Sequence, residues 1–142
     1  EEFLEQLNRT KMMTCFLGIL DSVNGKMICA NAGQSYPVKI GKESSTQIVA
    51  PSIPLGVRAR AKYKRMDVDL QDGILVLFSD GLIEAVNAQQ KMFGYENFVL
   101  TVEKVLRTRD MELLEGIFSE VRNFSGGVPW ADDATLVMIK KI

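Results

Sequence analysis

The apolar run Ile74-Leu75-Val76-Leu77-Phe78 ends abruptly in Ser79-Asp80-Gly81. A short apolar run bounded by turn signals reads as a buried strand. A second apolar run, Ala134 to Ile139, is preceded by Asp132-Asp133. In both places an aspartate stands at the edge of a strand that the fold must bury. An ionised carboxylate beside an apolar interior is costly unless something cationic pairs with it. The chain holds no histidine to help. Two such sites point to a hard divalent cation, which takes oxygen ligands from carboxylates, backbone carbonyls and water. Gly81 permits a sharp turn and close approach of a ligand. From Leu82 the pattern Leu82, Ile83, Ala85, Val86 suits a short helix that begins just past the aspartate, and free amides at a helix start favour an anion such as phosphate. Each motif also has a plain reading: Asp80 as a capping residue in a turn, and Asp132-Asp133 as a solvated pair at a loop end.

The first half of the chain is strand-rich. Thr14 to Asp21 is an apolar strand, Asn24-Gly25 is a hairpin signal, and Lys26 to Asn31 returns as the partner strand. Tyr36 to Ile40 and Thr46 to Val49 read as two further short strands. Pro51 to Gly56 is a loop fixed by two prolines. Lys62 to Leu70 alternates in part, with Tyr63, Val68 and Leu70 as inner residues. Glu2 to Arg9 has helical spacing, with Phe3, Leu4 and Leu7 on one face. In the second half, Tyr95 to Leu106 and Met111 to Phe124 carry apolar residues at helical spacing. Asp110 is placed to cap the latter. Asp133 to Lys140 closes the chain as a strand. The pattern is α+β: antiparallel sheet with helices packed on it, and a second sheet to cover what helices on one face leave bare.

With 142 residues, the chain is one domain or part of one. A net charge of −1 gives no reason to expect nucleic acid or an anionic membrane as partner. No apolar run approaches a membrane span. Cys15 and Cys29 fall in strands and read as small buried apolar residues, which fits a reducing compartment. Trp130 reads as an anchored loop aromatic. The basic stretch Arg58, Arg60, Lys62, Lys64, Arg65 reads as a solvated strand face. Glu84 is either an outer residue of the Asp80 site or a favourable acid near a helix start.

Taken together and in order, the motifs resemble one family. Gln71 to Asn87, followed by Met92-Phe93-Gly94, looks like the core signature of the metal-dependent protein phosphatases of the type 2C superfamily. The match is to the bacterial branch typified by the stage II sporulation phosphatase E and the sigma-factor-regulating phosphatases. Asn31-Ala32-Gly33-Gln34-Ser35-Tyr36-Pro37 resembles that branch's Asn-Ala-Gly-His segment. Pro54-Leu55-Gly56-Val57 resembles its Pro-Leu-Gly loop, and Asp132-Asp133-Ala134-Thr135-Leu136 its closing Asp-Asp-x-Thr strand.

The resemblance implies an antiparallel β-sandwich flanked by helices and a two-metal centre, Mn²⁺ or Mg²⁺, at one edge. It implies hydrolysis of a phosphoserine or phosphothreonine by a metal-activated water, on a phosphorylated anti-sigma-factor antagonist in bacterial partner-switching signalling. A cytoplasmic location follows from the same family. Asp80 and Asp132 match metal ligands, with Asp133 a further candidate. Gly81, Glu84, Asn31 and Gly33 are weaker candidates for the surroundings of the site. The pattern departs from the family in three ways. No Gly-Asp precedes Thr14, the Asp-x-x-Gly-His-Gly segment is absent, and Gln34 stands where the branch has histidine. Residues 1–142 are therefore expected to be the C-terminal portion of a phosphatase domain, its N-terminal part missing. Such a portion should bind metal weakly and turn over slowly. Without the missing strands, Thr14 to Asp21 and Ile74 to Phe78 are expected to leave open edges or a bare apolar face, so that the 142-residue chain alone is either a homodimer or poorly soluble. The alternative is a non-catalytic interaction module that keeps the fold and lacks the metal centre.

Overall fold

The computed structural model describes residues 12–42, 44–108 and 113–141. The helix expected over Glu2 to Arg9 and the cap expected at Asp110 lie outside them. The chain divides into two compact units, one of the described residues up to Leu75 with those from Ile139 onward, the other Val76–Met138.

In the first unit, β1 (Cys15–Asp21) and β2 (Lys26–Ala32) form the expected hairpin. Gly25 takes φ 64° at its turn, a conformation that costs glycine little. The Asp21 carboxylate accepts the Val23 N–H at 3.0 Å, the Asn24 N–H at 3.1 Å and the Asn24 amide at 2.7 Å. The bonds from Asn24, backbone first, hold this carboxyl below the usual carboxylate range. β5 (Met66–Asp69) pairs antiparallel with β2, giving the order β1-β2-β5. It is shorter than the alternation of Lys62 to Leu70 predicts, because pairing starts at Met66, opposite Cys29. Arg58, Arg60, Lys62 and Lys64 thus lie exposed in a loop rather than on a strand.

Met27, Cys29 and Asn31 alternate as buried residues along β2, and Val68 and Leu70 are buried with them. Both cysteines are free. The register sets Leu17 opposite Ala30 and Ile19 opposite Ile28 on the other face. There Leu17 and Ile19 are 67% and 71% exposed. Among the described residues β1 is an edge strand with an uncovered apolar face, as its sequence leads one to expect.

A second sheet has the order β4-β3-β6-β7, from β3 (Val38–Gly41), β4 (Ser45–Gln47), β6 (Gly73–Phe78) and β7 (Leu136–Lys140). β6 is internal to it, and Leu75, Val76 and Phe78 are buried. The open edge expected at Ile74 to Phe78 is therefore not found. Gly73 opens β6 because a Cβ there would lie 2.8 Å from the Ile40 carbonyl oxygen.

The second unit carries the three helices of the described residues. α1 (Asp80–Ile83) is one turn, beginning at the aspartate rather than past it. It does not continue through Val86, because the chain turns to pair with itself. The Ala85 carbonyl accepts the Phe93 N–H at 2.8 Å and the Asn87 N–H donates to the Lys91 carbonyl at 3.1 Å. α2 (Gly94–Thr108) buries Phe98, Val102 and Val105, and α3 (Leu113–Ser125) buries Ile117, Val121 and Ser125. These are the one-sided stripes of amphipathic helices. Gly116 lets the two approach: a Cβ there would meet Val105 at 3.1 Å. The Phe98 ring packs on Phe78 with centroids 4.2 Å apart. Among the described residues no helix is long and apolar enough to cross a membrane.

Candidate metal centre

β6 delivers Ser79-Asp80-Gly81 directly onto the segment that leads into β7. The Ser79 N–H donates to the Thr135 carbonyl at 3.0 Å. The Thr135 N–H donates to Ser79 Oγ at 2.8 Å, and that hydroxyl donates to the Asp133 carbonyl at 3.0 Å. On the other side of Asp80, Gly81 is buried. A Cβ at Gly81 would lie 2.5 Å from the Asp133 carbonyl oxygen and 3.2 Å from that of Asp132. Both chain neighbours of Asp80 therefore touch the Asp132–Thr135 backbone, and the two acidic motifs meet in one place.

The electrostatic setting differs from the sequence expectation. Asp80, Asp132 and Asp133 are all exposed. β7 begins only at Leu136, leaving Asp133 to Thr135 outside the strand. Exposed carboxylates carry no burial cost, so burial is no argument for a metal here. The Asp132 carboxylate accepts the Asp133 N–H at 2.7 Å. The phosphate site expected at the helix start is also withdrawn. α1 has four residues, too few to build a substantial dipole.

Glu84 is exposed and closes α1, its N–H donating to the Asp80 carbonyl at 2.9 Å. It sits at the end of the turn, not at its start. Asn31 and Gly33 belong to the first unit. Asn31, only 1% exposed, donates from its amide to the Gln34 carbonyl at 2.8 Å and accepts the Gln34 N–H at 2.9 Å. The Ser52 hydroxyl donates to the Asn31 carbonyl and accepts the Gly33 N–H at 3.2 Å. Gly33 has φ 75°, and a Cβ there would come within 2.7 Å of the Pro54 ring. The Asn31 amide spends its hydrogen bonds locking its own loop. Trp130 is anchored as expected, its indole N–H on Ser125 Oγ at 3.1 Å and its ring stacked 6.2 Å from Phe118. Ser79, inside its motif, and Ser52, inside the Pro51 to Gly56 loop, had no role marked in the sequence. The only signal was the hydroxyl itself.

Among the described residues no group of three or more Asp, Glu, His or Cys converges to hold a metal. Asp80 with Asp132 and Asp133 does offer carboxylate oxygens, the donor class that Mn²⁺ or Mg²⁺ takes. Their exposure leaves them open to an ion. The set fits part of a hard cation's shell, which takes about six oxygens.

A family model described as stage II sporulation protein E (SpoIIE) matches residues 1–141. The chain belongs to the SpoIIE family. Solved structures share its fold. The PP2C domain of SiaA from Pseudomonas aeruginosa superposes with a TM-score of 0.83 at 18% identity, covering 98% of this chain and 56% of that one. A Mycobacterium tuberculosis structure of RsbU and RsbW domains gives 0.76 at 19% identity, covering 99% and 39%. The phosphatase domain of SpoIIE from Bacillus subtilis, presoaked with Mn, gives 0.65 at 19% identity, covering 89% and 56%. The chain thus spans well under two thirds of each of these structures. No curated protein sequence matches it. The mixed α+β architecture with two sheets is that of PP2C phosphatase domains.

Proposed function

We propose that this chain is the C-terminal portion of a metal-dependent protein serine/threonine phosphatase domain, in which Asp80 and Asp132 hold a Mn²⁺ or Mg²⁺ ion with Asp133 beside them. The observation that carries this reading is the meeting of the Ser79-Asp80-Gly81 turn with the Asp132–Thr135 segment. When bound, such ions activate a water at neutral pH and offset charge on a departing phosphate. The residues of the chain do the holding. Asp80 and Asp132 present carboxylates to solvent, where an ion can reach them. Gly81 has no side chain to push the two segments apart.

The substrate of this reading is a phosphoserine or phosphothreonine on a protein regulator, by family resemblance an anti-sigma-factor antagonist in bacterial partner switching. The reaction belongs in the cytoplasm. Support comes from membership in the SpoIIE family and from the fold shared with RsbU, SiaA and SpoIIE phosphatase domains. A second reading, a phosphatase-like interaction module without catalysis, draws on the lack of a three-carboxylate cluster among the described residues. Hydrolysis of a phosphoserine protein by the full-length protein separates the two. Turnover that needs Mn²⁺ or Mg²⁺ and is lost in Asp80→Asn supports the enzyme. Full turnover in excess chelator, or none under any metal, overturns it.

A further inference from the structure

We propose that Ser79 is a positioning residue for the Asp80–Asp132 pair, its hydroxyl holding the Asp132–Asp133 segment against the Asp80 turn, where Gly81 leaves room for it. The inference rests on the metal reading above. Ser79 occupies the N-cap position of α1, yet its side chain makes no cap hydrogen bond. The hydroxyl is spent elsewhere, accepting from the Thr135 amide at 2.8 Å and donating to the Asp133 carbonyl at 3.0 Å. It is covalently next to Asp80 and hydrogen-bonded to the residue next to Asp132. The backbone segments that carry the two carboxylates are therefore linked through one oxygen atom.

Strand pairing alone does not supply this tie. The Ser79 N–H to Thr135 carbonyl bond, at 3.0 Å, belongs to the backbone and survives loss of the side chain. What the hydroxyl adds is the hold on Asp133, ahead of the first residue of β7. Without it the Asp132–Asp133 segment hinges about Thr135 while β6 and β7 stay in register. Gly81 leaves room for the same segment to sit close, because a Cβ there would lie 2.5 Å from the Asp133 carbonyl oxygen. Outer partners that orient ligands in this way typically change metal affinity by about 10–100-fold.

The test is Mn²⁺ binding by the full-length protein, followed by the electron paramagnetic resonance signal of free Mn²⁺, with the metal-free melting temperature measured alongside. Ser79→Ala is expected to weaken binding by about 10–100-fold with little change in metal-free melting. Ser79→Thr, which keeps the hydroxyl, is expected to restore it. Gly81→Ala, which forces the segments apart, is expected to weaken it independently and serves where Ser79→Ala folds poorly. If Ser79→Ala and Gly81→Ala bind Mn²⁺ like wild type while Asp80→Asn does not, the positioning role is overturned and the metal site stands. If Asp80→Asn also binds like wild type, the metal reading itself fails.

Discussion

Replacing Asn31 with alanine should be among the most damaging single changes in the first unit. The side chain is 1% exposed and grips both the N–H and the carbonyl of Gln34, at 2.9 and 2.8 Å. Truncation leaves both part-buried backbone groups without a partner. Each orphaned group costs about 1–3 kcal/mol, so the expected loss for the two is about 2–6 kcal/mol. For a chain of this size, that lowers the melting temperature by about 5–25 °C. Asn31→Asp tests the geometry further. It keeps the shape but turns a carboxylate oxygen toward the Gln34 carbonyl, so it should destabilise as well. Ser52→Ala removes the hydroxyl that bridges Asn31 and Gly33. Because the two side chains share one loop, the double variant should lose less than the sum of the singles. Urea denaturation of the full-length protein, fitted for the four variants of this cycle, supplies the numbers. A loss below about 0.5 kcal/mol for Asn31→Ala, the range of an ordinary surface change, would refute the argument that this amide locks the loop.

Phe98→Ala empties a site that is 0% exposed and lies against the Phe78 ring, and should cost about 3–5 kcal/mol by denaturant titration. Asp21 is held below its ordinary value of 3.8 by its bonds from Asn24. The folded state therefore resists its protonation, and the stabilisation is complete above about pH 5 and lost as pH falls through the lowered value. Melting curves of wild type and Asp21→Asn should accordingly converge in acid. Finally, the exposed edge strand β1 should recruit a second copy of the 142-residue chain in sedimentation runs, and Ile19→Lys, which charges that edge, should weaken the association.

The hairpin β1–β2, the buried run of β6 and both long helices were legible because each is written in local periodicity or in a turn dipeptide. Asn24-Gly25 fixes its hairpin with a positive φ at Gly25, and Phe98, Val102 and Val105 share one helix face by spacing alone. What was not legible depends on partners distant in sequence. The start of β5 is set by where β2 has a free side to pair, not by the alternation of Lys62 to Leu70. α1 stops at Ile83 because Ala85 and Asn87 find partners at Phe93 and Lys91. The site shows the same division. Family motifs placed Asp80 and Asp132 in one reading and included Ser79 and Thr135, but that these two residues link the motifs by hydrogen bonds depends on strand pairing distant in sequence. The buried-charge argument failed for a related reason. An aspartate next to a buried strand in sequence is still free to point into water.

Asp80 and Asp132 are proposed to share one divalent ion. Anomalous diffraction from a Mn²⁺-soaked crystal of the full-length protein tests it directly. A strong Mn peak is expected within about 2.0–2.6 Å of a carboxylate oxygen of each residue, the span of hard-cation bonds, and no such peak in Asp80→Asn. A Mn-loaded crystal whose ion sits away from both carboxylates would contradict the proposal.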